Sequence, residues 1–135
     1  MTGAKTVSFS MPGGTGAASI ARRSVISIEA GLPLGLRHRV ALMLSELVAN
    51  AVQHGGAGAD EIVEVRVESG PRRVRVEVVD PGWRGVEPPE RIQHPDGGYG
   101  LVLIEHLSDG WGREATAGGG SLAWFELELD ALADA

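Results

Sequence analysis

Glu46 and Asn50 stand four residues apart in the stretch ALMLSELVANAVQHG (41–55), where Leu44, Leu47 and Ala51 continue an apolar stripe begun at Val40. On a helix, side chains four apart are neighbours on one face. At 100° per residue the pair lies about 100° round from the centre of that stripe, at the border of the core. An Asn amide oxygen is a good neutral ligand for Mg²⁺, which takes few protein ligands and keeps several waters. A carboxylate beside it could orient or deprotonate an attacking hydroxyl. His54 lies a further turn along on the same side. The alternative is a solvated helix flank on which Glu and Asn fall together by chance.

A second candidate closes the segment RVRVEVVD (73–80). Val74, Val76 and Val78 share one face by period two, and Asp80 continues their parity. The carboxylate therefore ends the strand aimed at the buried side, where it needs a donor. An adenine amine is such a donor, and Gly82 would let backbone approach a flat ring closely. Alternatively, Asp80-Pro81-Gly82 is a turn capped by its own aspartate. A third candidate is Gly97-Gly98-Tyr99-Gly100, which opens the helical stretch LVLIEHLSD. Glycines at a helix start leave N–H groups free at the positive dipole end, a natural phosphate site. No GK[ST] follows and no strand leads directly in, so neither common phosphate-loop fingerprint applies. A flexible hinge would have the same composition. Finally, Ser121 begins a strand face shared with Ala123, Phe125 and Leu127. Its hydroxyl could reach a phosphate, or it is simply a strand-entry serine.

These residues need elements to hold them. Alternation predicts strands over 5–11, 62–68, 73–80, 112–115 and 121–129. Helical spacing predicts helices over 17–30, 34–54 and 99–109, the first with Ala17, Ile20, Ser24 and Ile28 along one face. The order β-α-α-β-β-α-β-β, with hairpins in place of βαβ crossovers, implies an α+β fold: a mixed, mostly antiparallel sheet with helices on one face. Residues 81–98 hold four prolines and no period, and a loop of that length inside a compact domain is usually a functional lid or disordered.

At 135 residues the chain fits a single domain spanning 1–135. A net charge of −6 argues against a nucleic-acid partner, because phosphate backbones call for an excess of Lys and Arg. It leaves nucleotide binding open, since backbone N–H groups and one Mg²⁺ can neutralise the phosphates. The absence of cysteine excludes disulfides and thiolate metal sites. No signal sequence or membrane span is legible, so a cytoplasmic, soluble domain is expected. The histidines at 38, 94 and 106 show no metal-ligand spacing, and Arg22 and Arg23 read as a solvated face, with docking of a partner protein as the alternative.

Taken together, the motifs resemble the ATPase and kinase superfamily of gyrase, the heat-shock chaperone Hsp90, histidine kinases and MutL (GHKL). Residues 41–55 are similar to its N-box helix, Asp80-Pro81-Gly82 to its first glycine box, and GGYGLVLIEHLSDGWG to its second. The short length and the tail GGGSLAWFELEL look closest to the anti-sigma-factor serine/threonine protein kinases. The resemblance implies a two-layer α/β sandwich of Bergerat type that binds ATP and Mg²⁺. By it, Glu46 is the general base and Asn50 the Mg²⁺ ligand. Asp80 takes the adenine amine with Gly82 beneath the ring, and 81–97 form the ATP lid. Gly98 and Gly100 present amides to phosphate, His54, Tyr99 and Leu101 join the nucleotide contacts, and Ser121 stands near the adenine. Asp80-Pro81-Gly82-Trp83-Arg84 lacks the second glycine of the usual first box, and Tyr99 replaces a residue usually basic or polar.

The implied activity is a kinase that sequesters a sigma factor and phosphorylates an anti-sigma antagonist protein, with a homodimer as a frequent state of such relatives. The competing reading is a non-catalytic ATP-binding interaction module. A third, a histidine-kinase catalytic domain, would leave no room for a dimerising helix pair carrying a phospho-accepting histidine.

Overall fold

Valines dominate the strands. Val63, Val65, Val67, Val74, Val76 and Val78 alternate with charged residues and are all buried. β-branched side chains favour the pleated conformation and fill one face of the sheet. A computed structural model describes residues 5–27, 32–54, 61–80, 98–116 and 120–129, with backbone alone at 53, 54 and 98–102. Its elements are β1 (Lys5–Pro12), α1 (Ala17–Ser27), α2 (Leu34–His54), β2 (Ile62–Ser69), β3 (Arg73–Asp80), α3 (Gly98–Leu107), β4 (Gly110–Ala115) and β5 (Ser121–Glu128).

The strands form one sheet in the order β1-β2-β3-β5-β4. All four pairings are antiparallel, so the mixed sheet expected from sequence is corrected: no parallel pair occurs among the described residues. β5 inserts between β3 and β4, which places Val76 opposite Phe125 and Val78 opposite Ala123. Helix α2 crosses the inner face over β3, and α1 and α3 pack against α2. The layers meet at Met43, Leu44 and Val48 from the helix and the valine rows from the sheet.

Two further differences from the sequence reading concern helices. In α1 the buried residues are Ala17, Ala21 and Val25, whereas Ile20 and Ser24 are only half-buried. The face is rotated because small alanines let α1 approach α2 closely, and hydropathy alone overweights Ile20. Helix α3 ends at Leu107, earlier than expected: Ser108 N donates to Ile104 O, then Asp109 N donates to Glu126 O and starts β4. Gly14 occupies the left-handed region at φ 97°, which a glycine tolerates without penalty as β1 turns toward α1. Arg37 of α2 joins the helical layer by donating to Leu32 O and to Ile26 O, both at 3.0 Å. The second bond places a cation at the negative end of α1.

The outer face of the sheet is a self-paired charge ladder. Arg66 meets Glu77 at 2.8 Å, and Arg75 bridges Glu77 and Glu126, each at 2.8 Å. Burial pulls the Arg75 guanidinium down, but the hydrogen bonds and charges of the two glutamates outweigh it and hold its pKa above the usual value. The same guanidinium stacks 4.3 Å above the Trp124 ring. That indole lies across Gly112, where any added Cβ would come within 2.9–3.0 Å of three ring atoms.

Candidate nucleotide-binding site

The inner face changes character where β3 and β5 meet at the Asp80↔Ser121 pair. Asp80 continues the valine parity and is 7% exposed, as strand alternation predicts. A carboxylate this buried must be hydrogen-bonded. Ser121 Oγ donates to Asp80 Oδ2 at 2.9 Å, across 41 residues of sequence. Ser121 is thus placed beside the carboxylate at the same end of the sheet.

Above them stands Asn50 on α2. Asn50, Asp80 and Ser121 line one cleft, floored by Ala51, Val78 and Ala123. Its enclosed volume is about 10 Å³, room for roughly one water. It is therefore the floor on which a ligand's polar edge would rest, and does not enclose a whole ligand. The Nδ2 atom of Asn50 is buried and has no hydrogen-bond partner among the described residues. Such an atom costs about 1–3 kcal/mol. Ser108 Oγ is also buried and unpartnered, but it sits at the α3–β4 junction and does not line the cleft. The two ends of an Asn amide exchange by a half-turn of the side chain, so either the donor or the carbonyl oxygen can be offered to a ligand.

Glu46 lies one turn before Asn50, half-buried, and is not among the residues lining the cleft. The backbone of Gly98, Tyr99, Gly100 and Leu101 forms the first turn of α3, as the glycine pattern predicts. The first four N–H groups of a helix have no partner within it. The side chains of His54, Tyr99 and Leu101 lie outside the described residues, as do Gly82 and the whole of 81–97. Sequence reasoning missed Arg113. It pairs with Ala123 on β4, shares the inner parity of Trp111, and lines the same cleft. The signal lies in the register of β4 against β5, which no local pattern carries.

A larger hollow of about 540 Å³ opens at the other end of β3, around the β2–β3 turn. Arg73 and Arg75 on its wall are already engaged with Glu126, so it offers a ligand no uncommitted charge from them.

The histidine kinase-like ATPase domain family matches residues 15–123, which include Glu46, Asn50, Asp80, the start of α3 and Ser121. The chain belongs to this family. Among solved structures, it is similar to the Erythrobacter litoralis EL346 blue-light activated histidine kinase at 22% identity and a TM-score of 0.56. That match covers 89% of this chain and 42% of the other. It is also similar to the histidine kinase domain from the same kinase, at 27% identity and a TM-score of 0.49, over 73% of this chain and 46% of the other. The chain thus spans less than half the length of either of these two structures. No curated protein matches it. The first likeness establishes the α+β fold, and no helix among the described residues is long and apolar enough to cross a membrane.

Proposed function

We propose that this histidine kinase-like ATPase domain binds Mg-ATP at the Asn50–Asp80–Ser121 cleft and acts as a serine/threonine protein kinase of the anti-sigma-factor type. The observation that carries the binding part is the buried Nδ2 of Asn50, without a hydrogen-bond partner among the described residues, beside a buried carboxylate. A buried polar atom without a protein partner calls for something else to meet it, and a bound ligand supplies that here. Asp80 takes the exocyclic amine of adenine, with Ser121 holding the carboxylate in place. Asn50 turns its amide oxygen to Mg²⁺, and the α3 amides at Gly98 and Gly100 meet phosphate. His54, Gly82, Tyr99 and Leu101 complete the contacts.

When bound, Mg-ATP supplies the phosphoryl group. Glu46 would accept the proton of a Ser or Thr hydroxyl on the protein substrate as that oxygen takes the γ-phosphoryl group and ADP leaves. The substrate class and the sequestered partner, an anti-sigma antagonist and a sigma factor, rest on the resemblance of the length and of the tail GGGSLAWFELEL. One observation favours a second reading, a non-catalytic ATP-binding interaction module: Glu46 does not line the cleft. A transfer assay with γ-labelled ATP and candidate antagonist proteins, run beside Glu46→Ala, separates the two. Label on Ser or Thr that disappears with Glu46→Ala supports the kinase. Label that survives removes Glu46 from the base role, and no label on any candidate favours the module.

A further inference from the structure

We infer that Arg113 is a nucleobase-contacting residue, holding the base from the β4 side of the cleft while Asp80 holds it from β3. This rests on the nucleotide reading above. Arg113 differs from the other described arginines of the sheet. Arg66, Arg73 and Arg75 all point to the outer face and are paired with Glu64, Glu77 or Glu126. Arg113 has the inner parity, lines the cleft, is exposed, and forms no hydrogen bond or ion pair with any described residue.

The sheet register fixes where it stands. Arg113 pairs with Ala123, which pairs with Val78, and Asp80 lies one side-chain step beyond Val78 on the same face. Two strand spacings across and two residues along put Arg113 and Asp80 roughly 12 Å apart at Cα. Between them lie only Ala123 and Ser121 on β5. A small-residue floor bounded by a carboxylate on one side and a long planar cation on the other suits one flat, polar-edged ring. The carboxylate meets the ring's amine. The guanidinium, planar and weakly hydrated, packs on the ring face or donates to its acceptor edge, which a lysine ammonium cannot reproduce.

The test is a calorimetric titration of the full chain with adenosine, ADP and ATP, in wild type, Arg113→Ala and Arg113→Lys. Arg113 is exposed on an edge strand, so both variants should melt as wild type does. Contact with the base predicts that Arg113→Ala weakens all three ligands by the same factor, roughly three- to thirty-fold, and that Arg113→Lys does not restore it. Unchanged affinity in Arg113→Ala overturns the inference while leaving the nucleotide reading intact. A loss that grows from adenosine to ATP assigns the arginine to phosphate and equally overturns it. A wild-type chain that binds none of the three overturns the nucleotide reading and this inference with it.

Discussion

Replacing Asn50 with alanine should move stability and ligand response in opposite directions. In the ligand-free chain, Asn50 Nδ2 is buried without a partner among the described residues, which costs about 1–3 kcal/mol. Alanine removes that atom and adds up to ~0.7 kcal/mol of helix propensity. Against this stands the lost packing of a half-buried side chain, on the order of 1 kcal/mol. The net expectation is a gain of roughly 1–3 kcal/mol, about 4–10 °C in Tm for a domain of this size. Mg-ATP at a hundredfold excess over Kd should stabilise the native chain by about 2.7 kcal/mol, roughly 10 °C. In Asn50→Ala that shift should vanish. Thermal melts with and without Mg-ATP read both effects on the same samples. Two results would refute the reasoning: a ligand-free variant destabilised by more than about 1 kcal/mol, which makes the amide a structural group, or an ATP shift that survives.

Two more predictions concern what holds the site's frame. Arg37→Ala removes donors to Ile26 O and Leu32 O and should cost about 2–3 kcal/mol in urea denaturation; a change under about 0.5 kcal/mol would mean the clasp adds nothing to α1–α2 packing. Gly112→Ala places a Cβ 2.9–3.0 Å from the Trp124 indole, and should cost about 1–3 kcal/mol with a change in Trp emission. Gly110→Ala, whose Cβ meets only Trp124 at 3.8 Å, is the control and should be near neutral. Equal costs for the two glycine variants would show that the indole yields.

Most of the fold is legible in the sequence because alternation and helical spacing carry it. Val74, Val76 and Val78 fix the parity of β3 so firmly that the inward aim of Asp80 follows from strand alternation alone. The phase of α2 likewise sets Asn50 at the border of the core. Pairing is what local patterns do not carry. Nothing local says that β5 inserts beside β3, so the hydrogen bond from Ser121 to Asp80, 41 residues away, is beyond their reach. Arg113 is hidden for the same reason: GWGREA is a weak strand pattern, and its inner face is set only by its register on β5. The face of α1 is misjudged by hydropathy because Ala17 and Ala21 carry little of it, yet they are what a close helix contact selects.

The distribution of polar groups then argues for one site and against an evenly polar surface. On the outer face, Arg66, Arg73 and Arg75 are neutralised by Glu64, Glu77 and Glu126, so that face holds these charges without needing a ligand. Up to Val78 the inner rows of β2 and β3 carry no charge. Between these regimes, at the end of β3, a buried carboxylate, a buried unpartnered amide and a cation engaged by no described residue line one cleft. The amide nitrogen and the cation are unfavourable or idle for the isolated fold, whereas the carboxylate is held there by Ser121. Their convergence on three different elements, α2, β3 and β4, is what a ligand with an amine edge, a flat face and an anionic tail would require. The fold gives Asp80 and Asn50 fixed positions through strand parity and helix phase. On the proposed function, the groups that would meet the base and the metal are therefore positioned by the sheet register and the helix phase themselves.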